Sequence, residues 1–106
     1  MTDKGYRARS LAGAVADALK AFPVVIVSGM RQTGKTTMLR RDPLFRKRQY
    51  ITLDDFASLS AAQSNPEALV SGAKPITIDE VQRAPELLTA IKATVDRDRR
   101  PGRFLL

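Results

Sequence analysis

The chain has 106 residues, 43% of them hydrophobic and 27% charged, a composition that fits one globular domain and excludes two domains or a disordered polymer. It contains no cysteine and no histidine, which excludes disulfide scaffolds, thiolate chemistry, imidazole catalysis and Cys- or His-based metal sites, leaving carboxylates, Lys, Arg, hydroxyls or a bound cation. The net charge of +7 is local: residues 30–48 carry Arg31, Lys35, Arg40, Arg41, Arg46, Lys47 and Arg48 against Asp42 alone, whereas residues 49–95 carry Asp54, Asp55, Glu67, Asp79, Glu80 and Glu86 against Lys74, Arg83 and Lys92.

Residues 10–22 read as a helix, with Leu11, Ala14, Val15, Ala18, Leu19 and Phe22 on one apolar face, Ser10 as N-cap and Pro23 as terminator. Val24 to Val27 are consecutive β-branched residues without alternation, the pattern of a strand buried on both faces. Gly29 to Gly34 form a short loop, and 35–41 a helix ending near Pro43. Tyr50 to Leu53 is a second strand, closed by Asp54 and Asp55, and 56–63 is weakly helical. Pro66 suits the first position of another short helix, capped by Asn65 and ended by Gly72. Ile76, Thr77 and Ile78 form a third strand running into Asp79 and Glu80. Pro85 opens a helix to about Asp96, with Leu87, Leu88, Ile91 and Val95 as its apolar face. Pro101 and Gly102 turn the chain into a fourth strand, Arg103 to Leu106. This alternation predicts a three-layer α/β domain over residues 1–106 with a mostly parallel sheet of about four strands. No apolar run approaches the ~18–20 residues that cross a membrane, and Asp17 and Lys20 interrupt the N-terminal apolar segment. A cytoplasmic protein with no membrane partner is the expectation.

Residues 29–36 carry the chemistry: Gly29, Met30, Arg31, Gln32, Thr33, Gly34, Lys35 and Thr36 match G-x-x-x-x-G-K-[ST] in full. Such a loop wraps its backbone N–H groups around a phosphate chain as an anion nest. Gly29 allows the sharp exit from the strand, and Gly34 lets the main chain approach phosphate oxygens without a Cβ in the way. The positive end of the following helix faces the same anion. Lys35 brings an ammonium to the outer phosphates, and Thr36 offers a hydroxyl to Mg²⁺, which takes hard oxygen ligands. Thr37 is read as a helix residue that can also reach an inner phosphate. The complementary half is Ile76-Thr77-Ile78-Asp79-Glu80: Asp79 would hold Mg²⁺ through its water shell, and Glu80 would polarise the attacking water. The candidate site is therefore Gly29 to Thr37 for the nucleotide, Thr36 and Asp79 for the metal, and Glu80 with Lys35 for catalysis, with ATP and Mg²⁺ as cofactors. No guanine-reading N-K-x-D segment is present, which favours ATP over GTP.

Several neighbours keep two readings. Asp54 and Asp55 end a strand and lie near the metal, or close a solvated turn. Gln82 senses the γ-phosphate or orients water, or caps a loop. Arg31 reaches an anion or a neighbouring element, or is solvated. Tyr6 and Arg7 lie under a nucleotide base, or do not. The basic segment 39–48 is a solvated helix end, or, with 97–103, attracts nucleic acid; the scattered aromatics offer no stacking platform.

The stretches VVIVSGMRQTGKTTMLR, ITLDD and PITIDEVQRAPELLTAIKATVDRDRRPGRFLL, about residues 10–106, resemble an AAA-type ATPase family of bacteria and archaea with a G-x-R-Q-x-G-K-T loop and a D-E-x-Q-x-x-P segment. The resemblance implies an AAA-type P-loop NTPase fold in which the fourth strand lies between the phosphate-loop strand and the acidic strand. It puts phosphate binding on Gly34, Lys35 and Thr36, the metal aspartate at Asp79 and the catalytic base at Glu80. Family members continue with a T-G-S segment, a lid and a C-terminal domain, often of DNA-binding-like character. The chain departs from that pattern at Leu106, so the expectation is a truncated N-terminal part. It would bind Mg-ATP with hydrolysis weak or absent alone, and would be completed by the missing C-terminal domain or by homo-oligomers pairing through the exposed edge at Val24 to Val27. The alternative is a nucleic-acid-binding or assembly module built on the 39–48 segment.

Overall fold

The computed structural model describes residues 3–28, 32–72 and 74–106, with side chains from residue 11 onward except those of Gln32 and Thr33. Helix α1 runs from Asp3 to Ala21 and ends just before Phe22 and Pro23. It therefore starts seven residues earlier than the sequence pattern suggested, and Ser10 lies inside it instead of capping it. Residues 3–9 (DKGYRAR) contain no proline and no β-branched residue, so apart from Gly5 nothing local disfavours the helix. Its buried stripe is Ala12, Val15 and Leu19. Ala14 and Phe22, expected on that stripe, are exposed, and Phe22 lies beyond the last helical residue, where helical spacing no longer directs it.

Strand β1 (Val24–Val25) leads toward α2 (Gln32–Arg41), followed by β2 (Gln49–Thr52), α3 (Phe56–Ser64), α4 (Pro66–Val70), β3 (Ile76–Asp79), a 3-10 turn (Val81–Arg83), α5 (Pro85–Arg97) and β4 (Phe104–Leu105). All strands are parallel, in the order β1-β4-β3-β2. The last strand in sequence thus lies between the first and the third, and Phe104, Leu105 and Leu106 are buried. β1 is an edge strand, as expected for Val24 to Val27, but the expectation of burial on both faces is corrected: Ile26 is 66% exposed while Val27 is buried. The ladder nevertheless outlasts the two assigned residues, because the Val27 amide donates to the Leu106 carbonyl at 2.8 Å.

Two apolar cores lie on opposite faces of this sheet. Val15, Leu19, Val27, Met38, Leu39, Phe45 and Leu105 form one beneath α1 and α2. Leu53, Ala62, Val70, Ile76, Ile78, Leu87, Ile91, Phe104 and Leu106 form the other beneath α3, α4 and α5. The two-residue period of each strand does the sorting: Ile76 and Ile78 face one core, and Thr77 and Asp79 the opposite side. The outward crossover from β1 to β2 uses α2 on one face, and the return through β3 to β4 uses α3–α5 on the other. The crossovers therefore share one hand, as twisted parallel strands favour.

Local chemistry accounts for most boundaries. Asp55 caps α3 by accepting from the Ser58 amide at 3.0 Å, and Asn65 caps α4 by accepting from the Ala68 amide at 3.4 Å, with Pro66 at its start. On α5, Leu87, Ala90, Ile91 and Thr94 are buried, whereas Leu88, expected on that face, is 42% exposed. Adjacent helix residues point about 100° apart, so only one of the two leucines can face the sheet. Gly102 takes a positive φ of 79° and an added Cβ would meet the Leu19 carbonyl at 3.2 Å. At the foot of the sheet, the Arg48 guanidinium donates to Thr77 Oγ1 and to the carbonyls of Ile76, Gly102 and Arg103.

Candidate functional site

The carboxyl ends of β1, β4 and β3 point to one rim of the sheet, the place where parallel α/β folds hold ligands. Gly29, Met30 and Arg31, which join β1 to α2, lie outside the described residues. α2 begins at Gln32, so Gln32, Thr33 and Gly34, expected in the loop, belong to its first turn. Amides in a helix's first turn lack intrahelical acceptors, and they carry the positive end of the helix dipole. The shift from loop to helix therefore keeps those N–H groups available to an anion. Thr37 lies on the exposed side of α2.

Asp79 is the hub. It is 1% exposed and closes β3, where the alternation of that strand turns its side chain toward α2. Its Oδ2 accepts from Thr36 Oγ1 at 2.8 Å and from the Tyr50 hydroxyl at 2.8 Å. Its Oδ1 accepts from the Glu80 amide at 3.0 Å and lies 3.8 Å from Lys35 Nζ. A carboxylate this buried is tolerable only when paired and hydrogen-bonded; the two hydroxyls, the amide and the ammonium meet that condition. Thr36 and Asp79, singled out 43 residues apart, are thus in direct contact. A hydroxyl beside a buried carboxylate is a hard-oxygen pair, and this donor set fits Mg²⁺ better than any softer metal.

Tyr50 was not singled out from the sequence as a site residue. The ring of Tyr50 packs on the α1–α2 side, and the Arg40 guanidinium lies 5.3 Å from its centroid. Burial, then the hydrogen bond to Asp79 and its charge, push the Tyr50 phenol up to about 12. The available signal was alternation: Tyr50 pairs with Thr77 in register, two residues before the Thr52–Asp79 pair and on the same face, and a tyrosine is long enough to reach forward to the next position on that face.

Glu80 adopts the left-handed conformation, φ 60° and ψ 38°, the only non-glycine positive φ among the described residues. For an L-residue this costs about 1–2 kcal/mol. Its carboxylate accepts from Gln82 Nε2 at 2.5 Å, a contact between two residues of the same turn. Asp54 and Asp55 serve the scaffold. Asp55 caps α3, and Asp54 pairs with Arg83 at 2.8 Å, joining the end of β2 to the 3-10 turn. Among the described residues, no group of three or more acidic side chains could hold a metal.

The side chains of Tyr6 and Arg7 lie outside the described set. In the basic segment, Arg41, Arg46 and Lys47 are exposed, whereas Arg40 covers Tyr50 and Arg48 binds the sheet. In 97–103, Arg100 pairs with Asp98 at 2.8 Å and Arg103 is buried, donating to the Gly72 carbonyl at 2.8 Å. No helix among the described residues is long and apolar enough to cross a membrane.

A family model described as an AAA domain matches residues 21–106. An uncharacterized protein of Mycobacterium bovis and another of Mycobacterium tuberculosis are each 37% identical to the chain over 100 residues, covering 92% of this chain and 22% of theirs. The chain therefore spans less than a quarter of the length of these curated relatives. No solved structure matches.

Proposed function

We propose that this chain, which belongs to the AAA domain family of nucleotide-binding, ATPase-like modules, binds Mg-ATP through residues 29–37 and Asp79, with hydrolysis slow or absent on its own. The observation that carries the reading is the 2.8 Å contact between the Thr36 hydroxyl and the buried Asp79 carboxylate, at the end of α2 where unpaired amides and Lys35 favour a polyphosphate. In this reading Lys35 neutralises the outer phosphates, and the amides of Gln32, Thr33 and Gly34 join Gly29, Met30 and Arg31 in cradling the chain. Thr36 and Asp79 hold the cation, and Thr37 stands beside the inner phosphates. A bound metal would supply charge neutralisation to the phosphates. Glu80 is the proposed base. Its carboxylate is engaged by Gln82, and a base occupied in this way supports slow turnover. Lys35 is also placed among the catalytic groups, because the charge it offsets grows as the terminal phosphoryl group leaves.

Calorimetric titration with Mg-ATP, read together with phosphate release, tests this. The expected outcome is saturable binding, little phosphate release, and a fall in affinity of at least about tenfold for Lys35→Ala, the weight of a charged hydrogen bond. Binding that survives Lys35→Ala undiminished would falsify the assignment.

A further inference from the structure

We infer that Tyr50 is a positioning residue for the Asp79 carboxylate, setting the direction from which that group meets a divalent ion. The inference rests on the Mg-ATP reading above. An ionised carboxylate has about four acceptor positions and no donor. Both positions on Oδ2 are used, one by the Thr36 hydroxyl and one by the Tyr50 hydroxyl, each at 2.8 Å. On Oδ1 the Glu80 amide takes one at 3.0 Å. A single position remains, on the oxygen that also lies 3.8 Å from the Lys35 ammonium. The Thr36 hydroxyl can keep donating its hydrogen bond to Asp79 while offering its own lone pair to a cation. Tyr50 has a different effect: its proton is committed to Oδ2, so it opposes rotation of the carboxylate about its Cβ–Cγ bond and keeps the free position on Oδ1 pointing one way.

Tyr50 is itself held from two sides. β2 presents its ring on the α2 face of the sheet, and Arg40 covers the ring at 5.3 Å. Arg40 and Thr36 are one turn apart on α2, on the same side of the helix. α2 therefore grips Asp79 twice, directly through Thr36 and at one remove through Arg40 and Tyr50.

A tyrosine that merely packed would influence nucleotide binding equally with and without a metal. The discriminating quantity is the ratio of ATP affinity in Mg²⁺ to that in EDTA, measured by titration on the unsubstituted chain, Tyr50→Phe and Arg40→Ala. Tyr50→Phe is expected to lower that ratio about fivefold, near the weight of one hydrogen bond, with the EDTA affinity unchanged within about twofold. Arg40→Ala should shift the ratio the same way by less. An unchanged ratio in a Tyr50→Phe protein that melts cooperatively overturns the inference and leaves the Mg-ATP reading standing. If Tyr50→Phe does not fold, the Arg40→Ala ratio decides: a fall supports the inference and no change overturns it. Failure of the unsubstituted chain to bind ATP in Mg²⁺ removes both.

Discussion

A phenol that donates to a buried carboxylate has a pH signature of its own. The folded state favours neutral Tyr50, because burial and then the hydrogen bond and charge of Asp79 raise its pKa to about 12, above the usual value of about 10. With the folded pKa above the unfolded one, the stabilisation is complete below about pH 10 and is lost as the pH rises through about 12. Urea midpoints taken between those limits should fall more steeply for the unsubstituted chain than for Tyr50→Phe, and phenolate absorbance should show one of the two tyrosines ionising late. Equal slopes would mean that the hydroxyl is not engaged in solution. Residue types alone could identify Lys35, Thr36 and Asp79, because each belongs to a motif with a chemical requirement. Tyr50 could not be identified that way. Its partner lies 29 residues downstream, and only strand register brings the two together.

Among the elements, β4 has the most influence on the site. Leu105 is fully buried and pairs in register with both Val25 and Thr77, so the strand leading toward α2 and the strand ending in Asp79 are connected through it. Leu105→Ala should cost about 3 kcal/mol, within the usual range of roughly 2–5 for a buried leucine, and should weaken Mg-ATP binding in the fraction that stays folded. Leu88→Ala, at a half-exposed position on α5, should change the urea midpoint little and serves as the control. The two leucines of α5 also show what the sequence could not decide. Helical spacing admits either Leu87 or Leu88 to the core, and the choice depends on where α5 sits on the sheet. Ile26 follows the same logic: its β-branched neighbours announce a strand, but whether anything covers its outer face is a property of the sheet order. The start of α1 was hidden for the opposite reason, since residues 3–9 carry no proline and no apolar periodicity to mark a boundary. The capped starts of α3 and α4 were readable because Asp55, Asn65 and Pro66 each satisfy a specific backbone need.

Over the whole molecule, the sheet separates two apolar cores and also separates the site from its foundation. Asp79 and the first turn of α2 lie at the carboxyl rim. Arg48 binds three main-chain carbonyls and Thr77 at the opposite end, three residues down β3 from Asp79 and so about 10 Å away along the strand. Arg48→Met should therefore lower global stability by about 2–3 kcal/mol, since carbonyls lose their donor, while leaving Mg-ATP affinity nearly unchanged in folded protein. Denaturant melts with and without nucleotide would separate the two effects, and a loss of affinity matching the loss of stability would show that the two ends of the sheet are coupled. Glu80 presents the reverse case. Its left-handed backbone would be relieved by glycine, the residue that adopts such angles freely. Selection for heat tolerance alone would then drift toward Glu80→Gly and discard the proposed base, leaving a sturdier protein whose candidate site has lost one of its two carboxylates.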